Sequence, residues 1–276
     1  MDSNYELIDC GNGRRLERFG TVICDRPAPM AEFPARAGAG VWAEAALRFD
    51  AVTRRWTGTP PADWAYSGAA GDAAVRLGLT PGANGQLGIF PEQQENWEWL
   101  ARIVGSARGR RVRVLNGFAY TGGSTLFCAA AGAEVCHLDA SGAAVAQARK
   151  NAELSGLSAC PVRWIVDDVK KFLAREIRRK SFYDGIILDP PAFGRSGKNI
   201  WKLEDNLPEL LEMAAAVLTP EPLFVLLTCH PAGWTPEDLR KIAVRYFPRW
   251  AGARAEAQSV PGRCNRLPLG LRWRGE

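Results

Sequence analysis

No window of the 276 residues approaches the ~20 uninterrupted apolar residues that a membrane-crossing helix needs. The opening Met1-Asp2-Ser3-Asn4-Tyr5-Glu6 also lacks the basic-then-apolar order of a secretory leader. A cytoplasmic protein without membrane contact is therefore expected. The seven cysteines, Cys10, Cys24, Cys128, Cys136, Cys160, Cys229 and Cys264, are odd in number and never form a Cys-x-x-Cys pair. That excludes a zinc ribbon and a disulfide framework, so no metal site is expected and most of the thiols read as buried and free. Repeats and low-complexity tracts are missing too. What is present, 47% hydrophobic and 24% charged residues, is an ordinary globular balance, which sets aside disordered and collagen-like classes.

The formal net charge of +5 tilts the surface only slightly towards polyanions. Its basic residues cluster in Lys170-Lys171, in Arg175 with Arg178-Arg179-Lys180, in Arg108 to Arg113, and in the tail Arg263, Arg266, Arg272 and Arg274. Each run reads either as a solvated face or as a phosphate-tracking patch.

Two styles of pattern divide the chain into residues 1–88 and 89–276. The first part holds short apolar runs broken by Gly, Pro and Asn, and predicts a small β-rich subdomain. Tyr5 to Asp9 and Arg14 to Phe19 flank a hairpin turn, Thr21 to Cys24 adds a strand, and Val41 to Phe49 and Ala74 to Leu79 are further strands. Trp42, Trp56 and Trp64 either fill this thin core or stack on bases. The second part alternates strands with helices, the signature of a Rossmann-like, doubly wound and mostly parallel sheet. After a helix from Glu92 to Ala107, strands are predicted at Arg111–Leu115, Glu134–Leu138, Val162–Val166, Tyr183–Leu188 and Leu223–Thr228. Their helices follow at Ser124–Ala131, Ala143–Leu154, Val169–Arg179, Leu203–Leu218 and Pro236–Tyr246, and Arg266 to Trp273 supplies an antiparallel edge strand.

Ligands of such sheets sit beyond the carboxyl ends of the strands. The first strand runs into Asn116-Gly117-Phe118-Ala119-Tyr120-Thr121-Gly122, a glycine-bearing turn that opens a helix. Its backbone can approach a ligand closely, and it can bind the carboxylate and ribose of an adenosyl amino acid. The turn lacks Gly-x-Gly-x-x-Gly spacing, which argues against a dinucleotide and hence against a nicotinamide-dependent oxidoreductase. Asp139, followed by Ala140 and Ser141, stands seventeen residues beyond Gly122, where a carboxylate can accept hydrogen bonds from both ribose hydroxyls. Asp168 is expected to meet an adenine amine, with Asp167 competing as a helix cap. The fourth strand ends in Asp189-Pro190-Pro191-Ala192-Phe193, whose consecutive prolines fix the backbone and can hold a carboxylate and an aromatic ring against a planar substrate.

Together, Leu115 to Gly122, Leu138-Asp139-Ala140-Ser141, Asn151-Ala152-Glu153-Leu154, Asp167-Asp168-Val169 and Asp189-Pro190-Pro191-Ala192-Phe193 resemble the class I methyltransferases related to bacterial 23S ribosomal RNA large-subunit methyltransferases. The resemblance covers roughly residues 86 to 234. It implies a seven-stranded sheet, S-adenosylmethionine (SAM) as methyl donor and a base of ribosomal RNA as acceptor. Gly88 to Gln94 is similar to the segment that closes over SAM in that family, with Pro91-Glu92 departing from it, so Phe90 and Gln93 become contact candidates. The family includes cytosine-C5 and guanine-N7 enzymes. Carbon 5 needs a thiolate on the flipped base, and Cys229, in Leu227-Thr228-Cys229-His230, is the candidate nucleophile by likeness to a Thr-Cys pair. If Cys229 is inert, transfer to a nucleophilic ring nitrogen needs only positioning. The alternatives are methylation of a small molecule or protein, or a non-catalytic RNA-binding protein of the same fold. Residues 1–88 stand where an RNA-binding appendage is expected, and can serve RNA, a lid or a dimer surface.

Overall fold

The computed structural model describes residues 4–71, 73–107, 109–196 and 199–276. Met1 to Ser3 of the leader test and Arg108 of the basic run lie outside them. Strands β1 (Tyr5–Gly11), β2 (Arg14–Phe19) and β3 (Val22–Pro27) form a meander. A short helix α1 (Ala39–Ala43) follows, and then β4 (Leu47–Asp50) and β5 (Arg55–Thr57) complete a five-stranded sheet in chain order. A separate hairpin, β6 (Ala65–Ala70) with β7 (Ala73–Gly78), ends this part. The single strand expected from Val41 to Phe49 is thus a helix followed by a strand, because Ala45-Ala46 offers nothing to continue an alternating face. The tryptophans are structural: Trp64 is buried edge-on against Phe19, Trp56 packs on Phe49, and the Trp42 indole donates to Asp9 at 3.1 Å.

A 3₁₀ turn at Pro91–Gln93 leads into α2 (Gln94–Ser106). The alternation then runs β8 (Arg113–Gly117), α3 (Gly123–Ala130), β9 (Glu134–Asp139), α4 (Gly142–Leu154), β10 (Val162–Val166), α5 (Val169–Arg179) and β11 (Gly185–Leu188). A small hairpin, β12 (Phe193–Ser196) with β13 (Asn199–Lys202), interrupts it before α6 (Leu203–Ala215), β14 (Phe224–Cys229), α7 (Pro236–Tyr246), β15 (Ala255–Pro261) and β16 (Arg266–Gly275). The main sheet has seven strands in the order β10-β9-β8-β11-β14-β16-β15, the first five mutually parallel, β16 running against them and β15 pairing antiparallel with β16. Every residue of β11 and β14 is buried, as expected for parallel strands covered on both faces. Strand order reverses between β8 and β11, so the loops leaving these two neighbours diverge and open a crevice at their carboxyl ends.

The β-rich part shares a core with the helices of the main sheet. One core cluster unites Phe19, Leu47, Trp64, Tyr66 and Leu77 with Trp97 of α2 and Phe127 of α3, whose rings stack at 5.2 Å. At the other end, Arg263 N–H donates to Leu7 C=O at 2.9 Å and the Asn265 amide bonds Cys10, tying β1 to the turn between β15 and β16. Inside the five-stranded sheet, Arg26 is paired with Glu17 at 2.6 Å with both side chains buried, and the Tyr5 hydroxyl donates to the same carboxylate at 2.8 Å. A buried pair survives only when its lone pairs are satisfied in this way. Among the described residues, no helix is long and apolar enough to cross a membrane.

Candidate active site

The crevice is a half-open cavity of about 1160 Å³. Its size exceeds the roughly 300–1,000 Å³ of a single small-ligand pocket, which leaves room for two reactants. One wall is the turn after β8. There Phe118, Tyr120 and Gly122 all take left-handed backbone angles, with φ of 58°, 50° and 90°. Left-handed geometry costs a non-glycine residue ~1–2 kcal/mol, so something must hold it. Asp139 supplies that hold: its Oδ2 accepts from Tyr120 N–H at 2.8 Å, and its Oδ1 from Ser141 N–H at 2.8 Å. Gly122 N–H closes the turn on Ala119 C=O at 3.0 Å. A Cβ on the next residue, Gly123, would lie 2.6 Å from the Trp97 ring, so glycine is what allows α3 to start against α2.

Beneath the turn, Asn116 donates to Thr125 at 2.9 Å, and the Thr125 hydroxyl meets His137 Nδ1 at 2.9 Å. His137 is fully buried, and burial pushes its imidazole down to about 4. The sign follows: an unfolded histidine near 6.5 binds more protons than the native one, so this group's contribution is intact above about pH 6.5 and is lost as pH falls towards 4. Denaturant titrations from pH 7 to 4 should show wild-type stability falling more steeply than that of His137→Gln, by at most about 1.4 kcal/mol per unit. Parallel curves would remove His137 as the cause.

The second wall carries Asp168 and Val169. Asp168, not Asp167, caps α5: its Oδ1 accepts from Lys171 N–H at 3.0 Å, while Asp167 pairs with Arg175 and receives Asp168 N–H. Asp168 lines the cavity even so, and its second oxygen has no partner among the described residues.

The third wall is the rigid turn after β11. The Thr228 hydroxyl donates to Asp189 Oδ1 at 2.6 Å, and the Gln93 amide donates to Oδ2 at 3.2 Å. Gln93 is held in turn by Asn96, whose amide donates to Gln93 Oε1 at 2.6 Å. The Trp201 indole donates to Pro191 C=O at 2.7 Å and packs on Phe118 at 5.3 Å.

The cavity therefore brings together Asn116, Phe118, Tyr120, Thr121, Asp139, Ala140, Ser141, Asp168, Asp189, Pro190 and Pro191, as the sequence reading grouped them. Gly117 and Gly122 shape the turn without lining the cavity. Two residues fall elsewhere. Phe193 opens β12 and is 57% exposed, off the lining, and Trp201 across the hairpin supplies the aromatic face instead. Cys229 is fully buried in the core cluster with Leu227 and Leu239, while its neighbours Thr228 and His230 line the cavity. Burial, and then the Asp189 carboxylate, push its thiol up to about 12, the opposite of an activated nucleophile. Cys229→Ala is expected to cost about 1 kcal/mol of stability, as a small core truncation does, and to keep methyl transfer in the wild-type order of magnitude. Loss of all turnover in a folded variant would restore the thiol to the chemistry. Gln93, Thr228 and Trp201 gain roles from long-range contacts. Of these, only Gln93 was signalled, through its likeness to the closing segment.

The arrangement suits an adenosyl amino acid carrying a positive charge. Three carboxylates face one cavity, a glycine turn offers backbone groups, and Ile89, Phe90, Phe118 and Val169 give apolar surface for a purine.

The family model for S-adenosylmethionine-dependent methyltransferases matches residues 23–240. A ribosomal RNA large subunit methyltransferase I from Aeromonas salmonicida is 32% identical over 190 residues, covering 68% of this chain and 46% of that protein. The protein of that name from Erwinia tasmaniensis is 34% identical over 145 residues, covering 52% of this chain and 35% of that one. The chain thus spans less than half the length of these curated relatives. A solved SAM-dependent methyltransferase from Agrobacterium tumefaciens superposes with a TM-score of 0.88 at 34% identity, over 99% of this chain and 90% of the other.

Proposed function

Because the chain belongs to the S-adenosylmethionine-dependent methyltransferase family, we propose that it methylates a nucleophilic nitrogen on a base of ribosomal RNA. SAM, when bound, supplies an electrophilic methyl on a sulfonium. The chain's own residues do the rest by placement. The turn from Asn116 to Gly122 and the Asp139 carboxylate bind and orient the donor, and Asp168 with Val169 accommodates its purine. Pro190 and Pro191 fix the Asp189 carboxylate as acceptor for an amino or imino hydrogen of the base, with Phe118 and Trp201 as its flat neighbours. A nitrogen lone pair needs no covalent activation, so in-line positioning suffices.

The observation that carries this reading is the division of labour at the end of β14. Thr228 serves Asp189 inside the cavity while the thiol of the next residue, Cys229, is turned into the core. The chain's likeness to ribosomal RNA large subunit methyltransferases I supports ribosomal RNA as acceptor. The test is transfer of tritiated methyl from SAM to ribosomal RNA of cells lacking the gene, followed by nucleoside mass spectrometry. A methyl on a base nitrogen is expected. 5-Methylcytosine as product would overturn the nitrogen reading, and label confined to protein or small molecules would overturn RNA as substrate.

A further inference from the structure

The basic tail of the sequence finds a place outside the catalytic cavity. A second cleft of about 550 Å³ opens between α2, the 3₁₀ turn at Pro248–Trp250, β15 and β16. Five arginines and two glutamates line it, over a floor that includes the buried rings of Trp99 and Trp250. Two of those arginines are already neutralised: Arg272 pairs with Glu95 and Glu256, and Arg249 with Glu221 at 2.8 Å. The other three form no ion pair among the described residues. Arg102 and Arg254 are exposed, with no hydrogen bond or ion pair among the described residues. Arg274 gives Nε and Nη2 to one neutral acceptor, Asn96 Oδ1, at 3.1 and 2.6 Å, and lies over the Trp99 ring at 5.1 Å. Of the glutamates, Glu256 is taken by Arg272, while Glu276 keeps its charge and accepts from the Trp99 indole through Oε2, so three arginines face one carboxylate without an ion pair among the described residues and the balance is positive.

We propose that this cleft is a phosphate-binding site separate from the catalytic cavity, with Arg102, Arg254 and Arg274 as its donors. Guanidinium groups carry a planar fork of N–H donors that matches phosphate oxygens, and three of them around one concavity, none held in an ion pair among the described residues, is the arrangement such an anion selects. Burial, and then the neighbouring Arg272 charge, push Arg274 down to about 10 against the opposing pull of Glu95, Glu256 and Glu276. The phosphate comes either from the backbone of an RNA strand, a source that rests on the function proposed above, or from a small phosphorylated molecule. The cleft also touches the far end of the hydrogen-bond line Arg274–Asn96–Gln93–Asp189, so two residues, Arg274 and Asn96, link its occupant to the Gln93 amide that holds the Asp189 carboxylate.

The test compares the wild-type chain with Arg102→Ala/Arg254→Ala, two exposed positions outside the catalytic cavity. Three measurements are made on each: SAM affinity by calorimetry, affinity for a ribosomal RNA fragment across a salt series, and thermal stabilisation by pyrophosphate. SAM affinity should be equal in both, which establishes that the variant folds. RNA affinity should fall at least about tenfold, the loss for charge-assisted hydrogen bonds. The log–log salt slope should shrink by roughly 0.7–0.9 for the one phosphate released. If RNA binding is unchanged or absent in both chains while pyrophosphate stabilises only the wild type, the cleft stands with a small-molecule phosphate, and absence of RNA binding counts against the RNA substrate separately. If neither probe distinguishes the two chains, the phosphate site is overturned.

Discussion

Asp189→Ala is expected to lower kcat/KM for methyl transfer by roughly 10²–10³-fold, about 2.7–4 kcal/mol, the scale for removing one preorganised polar group from an active site. The loss has two parts. In the proposed reaction the carboxylate is the acceptor offered to the base, and it also anchors two other side chains, because Thr228 and Gln93 both donate to it. Deleting it leaves the buried Thr228 hydroxyl without its acceptor and releases the Gln93 amide, which loosens the closing segment at Pro91–Gln93. Most of the effect should fall on kcat, since the group acts on the acceptor rather than on the bulk of the donor. Asp189→Asn separates the parts: it keeps the size and one acceptor oxygen but removes the charge, so intermediate activity is expected. Steady-state kinetics with calorimetry of SAM binding measures this. A variant that loses only SAM affinity, with kcat unchanged, would move Asp189 out of the chemistry.

Asp139→Ala should weaken SAM binding by at least about 1.5–3 kcal/mol, or roughly 10–150-fold, the range for hydrogen bonds to a charged group. The structure adds a reason for the upper end. The same carboxylate receives Tyr120 N–H and Ser141 N–H, so its removal frees a backbone kept in the left-handed region at Phe118 and Tyr120. Asp139→Asn keeps one acceptor and should recover part of the affinity. Calorimetry decides, and an unchanged dissociation constant for the alanine variant would place the donor's ribose elsewhere.

The parallel half was legible because its two periods are unmixed. Strands such as β11 and β14 are continuous buried runs, and α5 and α7 begin where the sequence reading placed them because Asp168 and Thr235 cap them. That Asp139, Asp168 and Asp189 share one cavity was readable for the same reason: a strand end fixes where a side chain sits along the sheet. What failed was phase and long-range pairing. At the end of β14 one residue of register decides whether Cys229 or Thr228 faces the cavity, and a short apolar run carries no record of that choice. Phe193 was lost to an unforeseen hairpin, whose four-residue strands are too short to show alternation. β15 was missed because Ala-Glu-Ala-Gln-Ser offers only small and polar residues to an edge that β16 completes. Gln93 could not be assigned its partner, since Asp189 is 96 positions away and their meeting depends on how α2 lies across the sheet.

The tie between β1 and the β15–β16 turn sets the order in which the molecule is finished. The ribosome makes Leu7 and Cys10 early, yet their bonds to Arg263 and Asn265 wait for some 250 further residues. At ~5–20 residues per second that interval is about 12–50 seconds. During it, the apolar face that later meets Val260 and Leu267 stays uncovered on the nascent chain, so the meander carries an open hydrophobic side until β15 and β16 are made.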